Sequence, residues 1–360
     1  MRAPAAIPVE TRLAESPVAP TYKDLAAFRR ALLRWYDRHR RDLPWRKTRD
    51  PYRIWLSEIM LQQTRVAAVL EHYRIFLERF PSVEALAAAS EDAVLTAWSG
   101  LGYYRRARML HQCAKELVEK HGGRFPQTAE ALETLPGIGR YTAAAIAGIA
   151  FDEPIAVVDG NVERVVQRLA GCDLTKPQIW QRAQSILNPA RPGDFNQSMM
   201  ELGATVCLPR DPKCPTCPVR RWCVTQQVRQ EANETIATTR ERRAPSPGGT
   251  RKPTPIRQVK KETWCVLNQR DGQIRLVQRP RESSLMPGMW ELPLLQEPCP
   301  TPTSAPWRTF RHSITITSYT VHVRRSSNPV AQGKWIPVAH ISHFPITGLT
   351  RKILTAAGII

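Results

Sequence analysis

Apolar residues recur at helical spacing from Tyr22 to about Leu202, then at a spacing of two from Glu262 onward. The two periods belong to different elements, so the change divides the chain. In "IWLSEIMLQQTRVAAVLEHYRIFLERF" (Ile54–Phe80) apolar side chains fall at i, i+3 and i+4 with polar faces between. "SVEALAAASEDAVLTAWSGLGYYRRARMLHQCAKELVEKHG" predicts two or three short helices, with Ser82 and Ser90 as N-caps and a break at "SGLG". Beyond the switch, "TWCVLNQRDGQIRLVQRP" alternates around Asp271-Gly272, a hairpin signal. "SITITSYTVHVRR" alternates again, and the chain closes on a short helix after "GKWIPVAHISHFPITGLTRKILTAAG". Residues 225–261 hold nine Lys/Arg against three Asp/Glu among Pro, Gly and Thr, the composition of a mobile basic linker. The expected organisation is a disordered Pro/Ala-rich tail over 1–20, an all-α region over 21–224, the linker over 225–261, and a small α+β domain over 262–360.

The formal net charge is +20, from 52 Lys+Arg against 32 Asp+Glu. Such a surface gains free energy when counterions are released on meeting a polyanion, so nucleic acid is the expected partner. The longest apolar run, Thr142 to Phe151, is too short to cross a bilayer, and the first residues lack the apolar core of a secretory signal. A cytoplasmic, nucleoid-associated monomer with no membrane contact is expected. Eight cysteines without a signal argue against a disulfide framework. Cys113, Cys172, Cys265 and Cys299 are scattered and fit small core residues.

The other four stand in "ELGATVCLPRDPKCPTCPVRRWC", at Cys207, Cys214, Cys217 and Cys223, spaced C-x6-C-x2-C-x5-C. Structural zinc usually takes two close Cys/His pairs. Here one C-x2-C is flanked by single cysteines, with no histidine, and this uneven set suits an iron–sulfur cluster. A cluster can pin a loop so that Arg210, Lys213, Arg220 and Arg221 meet phosphates at fixed positions.

"LPGIGRYTAAAIAGIAF" begins at Leu135. Gly137 and Gly139 allow a tight turn and close backbone approach, and a helix N-terminus there can hold a phosphate. Leu-Pro-Gly-Ile-Gly followed by a small-residue helix signals a helix–hairpin–helix that grips DNA. Farther on, in "AVVDGNVERVVQRLAG", the run Ile155–Val158 delivers Asp159 to a helix start, where N-capping is its simplest role. Glu58 sits between Trp55, Ile59 and Leu61, company that destabilises its charged form and raises its pKa.

The hairpin, "VDGNVERV" and the cysteine spacing together resemble the endonuclease III superfamily of helix–hairpin–helix DNA glycosylases. Within it, "DLPWRKTRDPYRIWLSEIMLQQTRV", "GLGYYRRARMLH" and the second domain resemble the MutY-type, A/G-specific adenine glycosylases, over about residues 22–360. The resemblance implies removal of adenine from A:8-oxoguanine and A:G mispairs in double-stranded DNA, with a [4Fe–4S] cluster on the four cysteines. It makes Glu58 the general acid and Asp159 the carboxylate facing the sugar cation, with Tyr141 and Asn161 orienting Asp159 and the incoming water. It assigns Arg41, Leu43, Trp45, Arg46 and Gln197 to the adenine pocket. Gln63 fills the gap left by the extruded base, Thr64 contacts the opposing guanine, and Leu101 and Tyr103 wedge beside it. Endonuclease III has a lysine where this chain has Tyr141, and a phenol forms no Schiff base, so the implied enzyme is monofunctional.

The second domain resembles the NUDIX-like domain of these enzymes, which reads 8-oxoguanine. "LMPGMWELPLL" (Leu285–Leu295) matches its G-x-W-E-x-P stretch, but the acidic metal-binding helix of NUDIX hydrolases does not follow, and no nucleotide hydrolysis is expected. The family's Phe-Ser-His is replaced by Ile314-Thr315-Ile316, leaving Thr315 and His312 as the expected lesion contacts. Two rivals stand beside this reading. One is a bifunctional glycosylase/lyase, opposed by Tyr141; the other is a non-catalytic iron–sulfur DNA-binding protein, opposed by the presence of both Glu58 and Asp159.

Overall fold

Ser82, Ser90, Thr128 and Asp159 each start a helix, their side-chain oxygens accepting from backbone N–H groups of the first turn. The computed structural model describes residues 22–228, 259–295, 305–314, 317–326 and 333–360. The expected tail over 1–20, most of the expected linker and Thr315 lie outside them. In chain order the helices are α1 (Tyr22–His39), α2 (Pro51–Leu61), α3 (Val66–Arg79), α4 (Val83–Ala88), α5 (Glu91–Ala97) and α6 (Arg105–His121). They continue with α7 (Ala129–Glu133), α8 (Arg140–Ala150), α9 (Gly160–Ala170), α10 (Lys176–Ile186) and α11 (Pro192–Thr205). The periodic run Ile54–Phe80 is two helices rather than one. Its polar middle, 62–65, leaves helical geometry at Gln63, whose φ is 55°. None of the described helices is long and apolar enough to cross a membrane.

The described chain forms two compact units that interleave in sequence. Residues 22–58 and 125–228 make one, and residues 59–124 join the C-terminal strands in the other. In the first unit, Phe28, Leu32, Val162, Val165, Val166, Phe195, Met199 and Leu202 share one apolar core between α1, α9 and α11. α8 is buried along nearly its whole length, as its alanines and isoleucines allow. Its neighbour comes close because Gly193 carries no side chain; a Cβ there would sit 2.7 Å from the Gly148 carbonyl oxygen.

In the second unit the strands are β1 (Val259–Arg270), β2 (Gln273–Gln278), β3 (Trp290–Glu291), β4 (Leu294–Leu295), β5 (Arg308–Ile314), β6 (Thr317–Ser326) and β7 (Lys334–Pro337), followed by α12 (Gly348–Ala356). β1 starts at Val259, inside the stretch expected to be linker. The main path of the sheet is β3-β2-β1-β6-β5, with β4 on β1 and β7 on β2. The predicted hairpin forms: Asp271 and Gly272 both take positive φ, at 49° and 69°, the twist that suits tight antiparallel strands. β1 and β6 run parallel over ten residue pairs. One face of the sheet buries Cys265, Leu267, Val321 and Val323 against Ile353 and Leu354 of α12. The same unit ties this end of the chain to α5 and the turn after it. Thr96 Oγ1 donates to the His343 carbonyl, Ser99 Oγ to the Ile346 carbonyl, and Arg351 Nη2 to Ser99 Oγ at 2.8 Å.

Candidate active site

α2 brings Glu58 inward, where it is 6% exposed. The hydroxyl of Tyr141, in the first turn of α8, donates to Glu58 Oε2 at 2.5 Å and also lies 3.6 Å from Met200 Sδ of α11. Burial pushes the Glu58 carboxyl up to about 7; the Tyr141 hydrogen bond works against this, the negative charge of Asp159 adds to it, and Arg46 opposes it weakly. Burial also raises Tyr141 well above the usual phenol range, reinforced by Glu58 and Asp159, so its hydroxyl stays a donor. The charge of Asp159 thus acts on both partners of the pair.

Asp159 is delivered by an extended segment that other side chains hold. The Gln184 amide accepts from Ala156 N and donates to the Pro154 carbonyl. Buried Asn196 accepts from Val157 N and donates to the Ile155 carbonyl. Asp159 then caps α9: Oδ1 accepts from Asn161 N at 2.9 Å and Val162 N at 2.7 Å, and Oδ2 from Asn161 Nδ2 at 2.8 Å. Capping and a second role are compatible here, because capping fixes the carboxylate without removing it from the half-buried surface.

Asn161 is oriented in turn. Its Oδ1 accepts from Arg164 Nη2 at 2.8 Å, and the same guanidinium donates to the carbonyls of Gly203 and Cys207. α9 and α11 touch there: a Cβ on Gly203 would lie 2.6 Å from that of Asn161.

The proposed adenine-pocket residues divide. Arg41 and Arg46 converge on the carboxylate of Glu201, which is fully buried in α11. Burial alone would raise Glu201, but the hydrogen bonds from Arg41 and Arg46 outweigh it and hold it at about 2. Gln197, one turn before Glu201, accepts from the Tyr36 hydroxyl at 3.2 Å. Leu43 and Trp45 are each 6% exposed and pack inward. Glu201, Met200 and Arg164 escaped sequence reasoning. A glutamate in the otherwise apolar "SMMELGATV" was the one available sign, and its partners stand about 160 residues away.

Leu135 and Ile138 of the hairpin are buried, while Gly137 (φ 74°) and Gly139 are exposed. Gly139 N-caps α8, so the turn that faces outward also sets the position of Tyr141. Gln63 is exposed and Thr64 half-buried. Of the two expected wedges, Tyr103 is 53% exposed, but Leu101 is buried at 6%; the loop presents the tyrosine alone. His312 is half-buried on β5, its pKa lowered by burial and by Lys352.

Cys207, Cys214, Cys217 and Cys223 line one cavity with Arg168, Val206, Pro212 and Arg220. Arg168 Nη1 donates to Cys207 Sγ at 3.2 Å and to the Leu208 carbonyl at 2.7 Å. Burial raises the Cys217 thiol to about 11, and the charges of the other three cysteines add to it. Only with positive charge among them would the four thiols ionise together in one space, and Arg168 and Arg220 line it. Among the described residues, no three Cys, His, Asp or Glu side chains converge tightly enough for a single metal ion.

Residues 56–189 match the family model of HhH-GPD superfamily base excision DNA repair proteins. The chain is 43% identical over 329 residues to the adenine DNA glycosylase of Rattus norvegicus, an alignment covering 78% of this chain and 64% of the rat protein. It is also 43% identical to the Homo sapiens adenine DNA glycosylase, covering 75% and 58% respectively. The chain therefore spans less than two thirds of the length of either relative. Among solved structures, a thermostable thymine-DNA glycosylase aligns at 32% identity and a TM-score of 0.54, covering 57% of this chain and 98% of that one. Endonuclease III in a non-covalent DNA complex aligns at 23% identity and a TM-score of 0.51, a likeness of fold, over 59% of this chain and all of that one.

Proposed function

Because the chain belongs to the HhH-GPD superfamily of base excision DNA repair proteins, we propose that it is an adenine DNA glycosylase acting on A:8-oxoguanine and A:G mispairs. The observation that carries the chemistry is the buried Tyr141–Glu58 pair within reach of the charge of Asp159. The mammalian adenine glycosylases that align with most of the chain support adenine as the base.

Adenine leaves readily only after its five-membered ring is protonated. An acid at about 7 keeps a large share of its protons at neutrality and releases one to the departing ring. As the glycosidic bond breaks, positive charge grows on the sugar, and Asp159 is the anion that faces it. At ~4 Å, unit charges attract by about 4 kcal/mol at an effective dielectric of 20 against about 1 in water. The difference is worth roughly two decades in rate. Asp159 can also bond to the sugar carbon before water arrives, as in retaining glycosidases; Glu58, now ionised, takes the proton of that water. Tyr141 holds Glu58 in place, and no amine stands at this position to cleave the strand.

Cys207, Cys214, Cys217 and Cys223 would hold an iron–sulfur cluster of the [4Fe–4S] type, a reading supported by the one cavity that all four line. Bound there, it would staple the loop that carries Arg220 and Arg221, beside Arg168 of α9, which donates to the Cys207 sulfur. The C-terminal sheet with α12 is assigned as a NUDIX-like reader of 8-oxoguanine, supported by the Trp290-Glu291 strand and its place beside α5.

The deciding experiment is a glycosylase assay on duplexes carrying adenine opposite 8-oxoguanine, guanine, cytosine or thymine, plus a T:G mispair, each with and without alkali. Adenine release opposite 8-oxoguanine and guanine, with nicking only after alkali, is expected. Release of thymine alone, or nicking without alkali, would overturn the assignment.

A further inference from the structure

We propose that Arg106 is the positioning residue that locks the 62–64 and 100–103 loops into the one arrangement from which Gln63 and Tyr103 enter the duplex. The inference rests on the glycosylase reading above and adds a residue to it.

Arg106, in the first turn of α6, threads its guanidinium between the two loops. Nη1 donates to the carbonyls of Ile59 at 2.8 Å, Met60 at 3.0 Å and Gln62 at 2.6 Å. Nη2 donates to Thr64 Oγ1 at 3.2 Å and to the carbonyls of Leu101 and Gly102 at 3.2 and 3.3 Å. The planar group also lies 5.3 Å from the Trp98 ring centroid and 5.5 Å from that of Tyr103. None of the six acceptors is a carboxylate. Two of them end α2, where carbonyls have no partner within the helix and the helix dipole is negative.

Each loop holds one non-glycine residue in left-handed backbone, Gln63 at φ 55° and Tyr103 at φ 48°. Both are exposed. Such residues persist only where their surroundings over-determine them. Arg106 binds the carbonyls just before each of them, those of Gln62 and Gly102, and so fixes both together. A lysine has one nitrogen and cannot span both loops. Burial lowers the pKa of Arg106 to about 10, which leaves it a cation at neutral pH.

The test uses the full chain with Arg106→Met and Arg106→Lys. Single-turnover adenine release is compared on a duplex with adenine opposite guanine and on the same duplex with an abasic site opposite, where the adenine is already loosened. Relative to wild type, Arg106→Met is expected to lose about a hundredfold on the paired duplex and less than about threefold on the loosened one, since only the first needs the base driven out. 2-Aminopurine at the adenine position should lose its fluorescence rise on binding. Equal losses on both duplexes, or no loss on the paired one, would overturn the role. If Arg106→Met lacks a thermal unfolding transition, Arg106→Lys carries the same comparison with the same criteria. Failure of the wild-type chain on every duplex would remove the glycosylase reading itself, whereas an active wild type matched by Arg106→Met removes Arg106 alone.

Discussion

Glu58 is the residue on which pH acts most directly. Its protonated form donates, so adenine release should fall as pH rises past about 7, and Glu58→Gln should bind duplex normally while release drops by about a thousandfold or more. Single-turnover pH profiles of both proteins check this. The same shift has a consequence for stability. The native state binds a proton that the unfolded state gives up near 4.5, so the folded form loses ground as pH rises from there to about 7, then levels off. Glu58→Gln, which still accepts from Tyr141, removes that penalty. It should raise the melting temperature at pH 8 and leave it unchanged at pH 4, with a gain at pH 8 of up to about 3 kcal/mol. Glu201 behaves in the opposite way. Its ion pairs with Arg41 and Arg46 are present above pH 4.5 and lost only near 2. Glu201→Ala should therefore strand two arginines and cost about 3–5 kcal/mol in denaturant melts at neutral pH.

At the scale of elements, α9 joins the carboxylate at its start to the cysteine loop along its side. Arg164 connects Asn161 to Cys207, and Arg168 reaches Cys207 Sγ one turn later. Gly203→Ala should force Asn161 off Asp159 and slow adenine release by about tenfold or more, with metal content the same as in the wild-type chain. Unchanged release would mean that α9 and α11 separate at no cost to the site. Much of this was legible in advance. Asp159, Glu58 and the cysteines betray themselves locally, through an apolar run that ends on a carboxylate, an acid among apolar neighbours, and a spacing. The hairpin at Asp271-Gly272 and the caps at Ser82 and Ser90 are equally local. What could not be seen depends on distant partners: Glu201 under Arg41 and Arg46, Arg106 between two loops, and the parallel pairing of β1 with β6. The burial of Leu101 is hidden for the same reason, since only the packed loop reveals which of its side chains faces out.

Across the whole molecule the charge and the interleaved units dominate. With a net +20, duplex affinity should fall steeply with salt, by about a thousandfold between roughly 50 and 200 mM, in titrations followed by anisotropy. The contacts of Thr96 and Ser99 with 343–351 mean that the sheet is fastened to α5 and the turn beyond it. Arg351→Ala should lower the melting temperature and the preference for 8-oxoguanine over guanine together; a change in one without the other would separate anchoring from lesion reading.

That pairing of helices 59–124 with strands from the far end also governs how the protein is made. On the ribosome, α3 to α6 emerge well over a hundred residues before the partners that cover Thr96 and Ser99. The polar contacts of Thr96 and Ser99 must wait until residues 343–351 have been made, so this unit cannot complete itself from its helices alone. A stalled or prematurely ended chain would thus carry finished helices with an uncovered flank, a natural target for chaperones.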